Sequence, residues 1–177
     1  AAFKACEFIR LLKKQDCYVQ VVMSQSSQDF IGKLTFASLS GNEVFTHDSQ
    51  TGLEHVKFAI EFDAVVVLPA TANILCKAGG GIADDIVSTM LSICEQPKLF
   101  VPAMNFRMWQ NKATINAVAR LKDQGKIVMS PEEGQLASLH EGEGRFPDTH
   151  SIINQLREVF KQSLPLKNKN ILITAGP

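Results

Sequence analysis

Residues 64–73, Ala-Val-Val-Val-Leu-Pro-Ala-Thr-Ala-Asn, decide the fold. The first five are apolar without a break. A strand with one wet face alternates apolar and polar residues; one apolar on both faces is covered on both, as the central strand of a parallel sheet is. Pro69 closes the run, and small and hydroxyl-bearing residues then lead into a helical pattern over 71–77.

The same alternation extends outward in both directions. Upstream, Phe3, Cys6, Ile9 and Leu12 recur at helical spacing, with Lys13, Lys14 and Gln15 at the polar end. A β-branched stretch follows from Tyr18 to Met23, and then a helical stretch over 28–39. Downstream, 83–94 reads as a helix, 98–101 as a strand and 113–123 as a helix stopped by Gly125. Residues 127–129 form the next strand. Residues 150–162 form an amphipathic helix with Ile152, Ile153, Leu156 and Phe160 on one side. Strands alternating with helices predict an α/β fold: a doubly wound parallel sheet, a Rossmann or flavodoxin-like three-layer sandwich.

A chain of 177 residues is long enough for one domain with a full apolar core. It opens directly in a helix, so the first strand of the sheet is expected to be missing. It ends on ILITAGP (171–177), a strand running into a turn, after a polar stretch with the look of a linker. The expected division is one domain over 1–162, with 163–177 the linker and the start of a following domain.

Formal net charge is zero, which gives no basic footprint for nucleic acid. The longest apolar run, 64–70, is far too short to span a bilayer, and no signal peptide is visible, so a cytoplasmic protein is expected. Cys6, Cys17, Cys76 and Cys94 form no C-x-x-C pair and read as reduced, mostly buried thiols. No pair of histidines has metal-ligand spacing, and no metal is expected.

In open parallel sheets a ligand sits beyond the carboxyl ends of the strands. That rule selects 24–27, 69–73, 102–109 and 131–145. Ser24, Gln25, Ser26 and Ser27 offer hydroxyls and free N–H groups for an anion such as phosphate, or an ordinary helix cap. Thr71, Ala72, Asn73 and Ile74 would let a flat ligand approach the backbone, with Asn73 available to bond its edge; Thr71 as a capping residue is the alternative. Gly79, Gly80 and Gly81 lack phosphate-loop spacing and read as a hinge or a close-packing turn. PAMNFRMW (102–109) holds the only tryptophan, and its Asn105 could bond a carboxylate without adding charge; a helix-start loop packed by Met and Trp fits equally well. His55 has an ordinary pKa of roughly 6.5, suited to a base at neutral pH, though a lone histidine is more often structural. GQLASLHEGEGR (134–145) could be a flap over a pocket or a solvated loop.

Together these segments resemble the family of FMN-dependent cysteine decarboxylases, from Ala1 to about Phe160. PAMNFRMW is similar to the family's P-x-M-N-x-x-M-W signature at every fixed position. PATAN (69–73), followed by GIADD (81–85), resembles its flavin-contacting stretch, and Leu53-Glu54-His55-Val56 the segment with its catalytic histidine. ILITAGP resembles the start of the ligase domain that follows in coenzyme A biosynthesis, which favours that branch over peptide modification. The resemblance implies FMN held by Ser24, Gln25, Ser26, Thr71, Ala72, Asn73, Ile74 and Ala103. It implies His55 as base, Asn105, Met108 and Arg145 on the substrate, and a flap closing over the site. It also implies a homotrimer or a multiple of one, with FMN at a subunit interface. The implied reaction takes 4′-phospho-N-pantothenoylcysteine to 4′-phosphopantetheine; a decarboxylation stopping at the enethiol on peptides, or a non-catalytic flavin-binding subunit, are the alternatives.

The sequence departs from the family pattern in two places. The strand and glycine-rich turn that precede the position of Ala1 in relatives, and help hold the FMN phosphate, are absent. In the flap, Ser138 and Leu139 stand where the coenzyme A branch has the proton-donating cysteine and a glycine.

Overall fold

The computed structural model describes residues 2–49, 58, 61–135, 141–160 and 170–175. Its elements are, in chain order, α1 (Phe3–Lys13), β1 (Tyr18–Met23), a 3-10 turn (Gln25–Asp29), α2 (Lys33–Ser40), β2 (Val44–Phe45) and a second 3-10 turn (His47–Ser49). Then come β3 (Ala64–Ala70), α3 (Ala72–Gly80), α4 (Ile86–Ile93), β4 (Lys98–Pro102), α5 (Phe106–Trp109), α6 (Lys112–Asp123) and β5 (Ile127–Val128). The last are β6 (Glu132–Gln135), β7 (Glu141–Arg145), α7 (Thr149–Val159) and β8 (Asn170–Ala175).

The main sheet has six parallel strands in the order β2-β1-β8-β3-β4-β5. All seven residues of β3 are buried, as its unbroken apolar run predicts for a strand covered on both sides. One face packs Phe8, Ile9 and Leu12 of α1, Phe36 of α2 and Ile152, Ile153 and Leu156 of α7 against the sheet. The other packs Ile74 and Leu75 of α3, Val87, Met90 and Leu91 of α4 and Leu121 of α6. The result is the expected three-layer α/β sandwich.

Residues 170–175 form β8, in the middle of this sheet. β8 pairs with β1 over six positions, from Tyr18 with Asn170 to Met23 with Ala175, and with β3 from Ala64 to Val67. Ile171, Leu172 and Ile173 are fully buried. The physical reason is its pattern: like β3 it is apolar on both faces, and the slot between β1 and β3 demands that. Phe8, Ile9 and Leu12 of α1 share one core cluster with Ile171 and Ile173 of β8.

Two differences from the sequence reading lie upstream and downstream. The helix expected over 28–39 is split, because Gly32 is extended (φ −68°, ψ 144°) and separates the 3-10 turn from α2. Part of the stretch expected as a polar loop, 131–145, is an antiparallel hairpin of β6 and β7, with Glu132 opposite Arg145.

Candidate functional site at the carboxyl edge of the sheet

The ends of β1, β8, β3 and β4 stand side by side at one edge, and a loop follows each of β1, β3 and β4 there. Adjacent strands are about 4.8 Å apart, so Ser24 after β1 and Thr71 after β3, with β8 between them, face each other across roughly 10 Å.

Ser24 is extended and opens the 3-10 turn without capping it through its side chain. Its amide and its hydroxyl both donate to the Ala175 carbonyl, at 3.3 and 3.2 Å, which ties the β1 loop to the end of β8. Ser27 is buried and donates from Oγ to the Ser24 carbonyl at 2.7 Å, leaving Gln25 and Ser26 exposed at the rim. Thr71 is the N-cap of α3, its Oγ1 accepting from the Ile74 amide at 3.4 Å. The first turn of α3 therefore presents Ala72 and an exposed Asn73 at the edge, while Ile74 points into the core. The Leu68–Pro69 peptide just before it is cis.

After β4, the Ala103 amide donates to the Ala70 carbonyl at 3.2 Å, binding the third loop to the second. Asn105 caps the short α5, its Oδ1 accepting from the Arg107 amide at 2.9 Å, while its carbonyl accepts from Met108 and Trp109. Met104 and Trp109 pack on the core. Capping and packing thus hold Asn105 in place, as the reading of a helix-start loop packed by Met and Trp expects. The β6–β7 hairpin docks on the same loop: the Met104 amide donates to the Gly144 carbonyl at 3.0 Å. The approach is so close that a Cβ on Gly144 would overlap the Met104 carbonyl oxygen, and one on Gly142 would lie 3.1 Å from Phe106 Cβ.

The structure thus brings together Ser24, Gln25 and Ser26, Thr71 to Ile74, and Ala103 and Asn105. Met108 is exposed on α5, beside this loop. Arg145 is exposed, its side chain laid against Gly134 on the facing strand. His55 and Ser138, with Leu139 and His140, lie outside the described residues. The contacts described for GIADD are structural. Gly81 ends α3 in the left-handed conformation, and Lys77 bridges Asp84 and Asp85, each at 2.6 Å. Asp85 caps α4 in a reciprocal pair with Ser88. Burial would raise the Asp85 carboxyl, but the Lys77 and Ser88 hydrogen bonds hold it below its ordinary value. Of the three consecutive glycines, Gly79 allows close packing, since a Cβ there would lie 2.9 Å from the Ala117 carbonyl oxygen.

One site feature escaped sequence reading. The end of β8 stands between the first two loops, and its Thr174 hydroxyl is buried with no hydrogen-bond partner among the described residues. Only the sheet order could have revealed it.

A parallel sheet with hydroxyl-, amide- and backbone N–H-bearing loops at its carboxyl edge defines a nucleotide-type ligand site. The model of the family described as Flavoprotein matches residues 1–161, and the chain belongs to that family. It is 37% identical to the coenzyme A biosynthesis bifunctional protein CoaBC of Mycobacterium tuberculosis, over 99% of this chain and 44% of that protein. To the CoaBC of Bacillus subtilis it is 34% identical, over 100% of this chain and 45% of that protein. The chain therefore spans a little under half the length of these curated relatives. Among solved structures, a PPC decarboxylase variant complexed with pantothenoylaminoethenethiol shares the fold, with a TM-score of 0.81 at 24% identity over 91% of this chain and 92% of that one. The FMN-dependent cysteine decarboxylase SpaF superposes with a TM-score of 0.75 at 25% identity, over 90% of each chain.

The residues present fit a flavin mononucleotide in kind. The exposed Ser26 hydroxyl and the Ala72 and Asn73 amides at the start of α3 would serve as donors to a phosphate, and the Thr174 hydroxyl is buried without a hydrogen-bond partner among the described residues. No helix among the described residues is long and apolar enough to cross a membrane.

Proposed function

We propose that the chain is an FMN-dependent decarboxylase acting on 4′-phospho-N-pantothenoylcysteine and yielding CO2 and 4′-phosphopantetheine in coenzyme A biosynthesis. The observation that carries this reading is the PAMNFRMW loop. Asn105 is held by its own cap and by a docked hairpin at the edge where the phosphate-type donors also lie. The flavin, when bound, supplies the two-electron chemistry at the cysteine side chain. The protein's part is positioning and proton transfer. Asn105 would hold the substrate carboxylate through neutral hydrogen bonds, which do not oppose its loss as CO2. Met108 and Arg145 would line the substrate's path, His55 would act as base and Ser138 would close over the product. A homotrimer, with the flavin shared between subunits, belongs to the same proposal.

Asn105→Ala tests it. The variant should still take up FMN, because the donors assigned to the cofactor are elsewhere, and should lose CO2 release by about 10²-fold, the scale of a lost positioning contact. Turnover within a few fold of the parent contradicts the role of Asn105. His55→Asn should retain flavin without bleaching it on substrate addition.

A second reading, oxidative decarboxylation stopping at an enethiol, is favoured by Ser138. A thiol with an ordinary pKa of roughly 8.5 gives up a proton near neutral pH far more readily than a serine hydroxyl. Under this reading Ser138→Cys raises the yield of 4′-phosphopantetheine at the expense of enethiol. If the parent already makes 4′-phosphopantetheine over many anaerobic turnovers, the second reading fails.

A further inference from the structure

A second cavity, of about 480 Å³, opens at the amino edge of the sheet. It lies on the far side of the fold from the loops above: Lys98 opens β4 and Ala103 follows it, roughly 16 Å apart at the rise of an extended strand. Its wall includes Leu91, Phe100 and Leu121, and its charged members are Lys98, Lys126 and Glu95.

Lys98 is only 3% exposed, unusual for a lysine. Its amine donates to the Cys94 carbonyl at the end of α4, and Lys126 lines the same cavity wall. Burial first, and then the Lys126 charge, push its pKa down to about 8, while Cys94 and Glu95 pull the other way. Three helix C-termini meet here, which favours cations in general. That carbonyl field is largely used up, however. α3 and α6 close on turns in which the Ile82 and Lys126 amides take the Lys77 and Leu121 carbonyls, each at 2.9 Å, and Lys98 takes that of Cys94. Two ammonium groups thus face one exposed carboxylate, Glu95, on the wall. An ammonium has three donors, and a cavity that leaves some unused beside a like charge is suited to an oxyanion, whose charge-assisted bonds are short and strong.

We propose that this cavity binds a small organic anion, its carboxylate or phosphate group between Lys98 and Lys126 and its apolar stem against Leu91, Phe100 and Leu121. The site is independent of the decarboxylase reading.

The test is NMR of the lysine ε-methylenes in FMN-saturated full-length protein, titrated separately with inorganic phosphate, acetate and hexanoate. Saturable shifts at Lys98 and Lys126 are expected, with hexanoate binding several-fold more tightly than acetate. Lys98 should titrate at a higher pH when an anion is bound, since the anion favours its charged form. Lys126→Gln, at the partly exposed rim, should weaken binding by about tenfold, the scale of one hydrogen bond to a charged group. Lys98→Met should abolish it. Non-saturable shifts, a Lys98 midpoint that does not move, or equal affinity in Lys126→Gln overturns the proposal.

Discussion

Gly144→Ala is the sharpest probe of how the hairpin and the Asn105 loop are joined. The added methyl would overlap the Met104 carbonyl oxygen and lie 3.3 Å from the Phe106 amide nitrogen. Both neighbours are backbone, so no side chain can swing away. Relief requires the two segments to separate by on the order of 1 Å, which is the displacement that costs about 10²-fold in rate when it misplaces a reacting group. The same movement stretches the 3.0 Å hydrogen bond from the Met104 amide to the Gly144 carbonyl beyond bonding distance. Overpacking of this kind destabilises by about 1–3 kcal/mol. Urea unfolding and initial rates of CO2 release measure the two effects. Gly142→Ala serves as the matched control, because its methyl would meet the Phe106 Cβ at 3.1 Å, where a few tenths of an ångström of yielding suffices. If Gly144→Ala keeps both the parent's stability and its turnover, the hairpin does not dock as described and the argument fails.

Three further outcomes are expected. Gly79→Ala should cost about 1–3 kcal/mol by forcing α3 off Ala117, while Gly80→Ala, with only Ile82 side-chain atoms at 3.9 Å or more, should be neutral or stabilising; equal effects would refute the close packing. Asp85→Ala should lose about 1 kcal/mol at neutral pH as the α4 cap goes. The folded pKa of Asp85 lies below its unfolded one, so this contribution is in place at neutral pH. It fades as pH falls from roughly 4 through the folded value, so thermal melts of parent and variant should converge in acid. Ile173→Ala should cost about 2–5 kcal/mol, because Ile173 is fully buried in β8; an unchanged unfolding midpoint contradicts a β8 built into this sheet.

What could be read in the sequence is what depends on local pattern. β3 was legible because five consecutive apolar residues permit little else. Thr71 was legible as a cap, because its hydroxyl follows a strand and precedes a helical period. The strand-end rule then found the loops of Ser24, Thr71 and Ala103 without knowledge of their contacts. What could not be read depends on distant partners. ILIT suits any parallel sheet, and nothing local says that it enters this one between β1 and β3. β2 has two residues and exists by pairing with Val21 and Val22. The hairpin strands are polar and glycine-rich, without strand alternation, and their place is set by docking on Met104. Asp84 and Asp85 share Lys77 as a partner, an ion pair that residue type alone does not reveal. Lys98 starts an apolar strand, and residue type alone predicts an exposed lysine there rather than a buried one.

The most direct test of the functional account is anaerobic incubation of the full-length, FMN-loaded protein with phosphopantothenoylcysteine, following CO2, product mass and flavin absorbance together. The account predicts CO2 released from the free substrate in step with its consumption, and only when FMN is present. Flavin-loaded protein that releases no CO2 from phosphopantothenoylcysteine, while turning over peptides that end in cysteine, would contradict it.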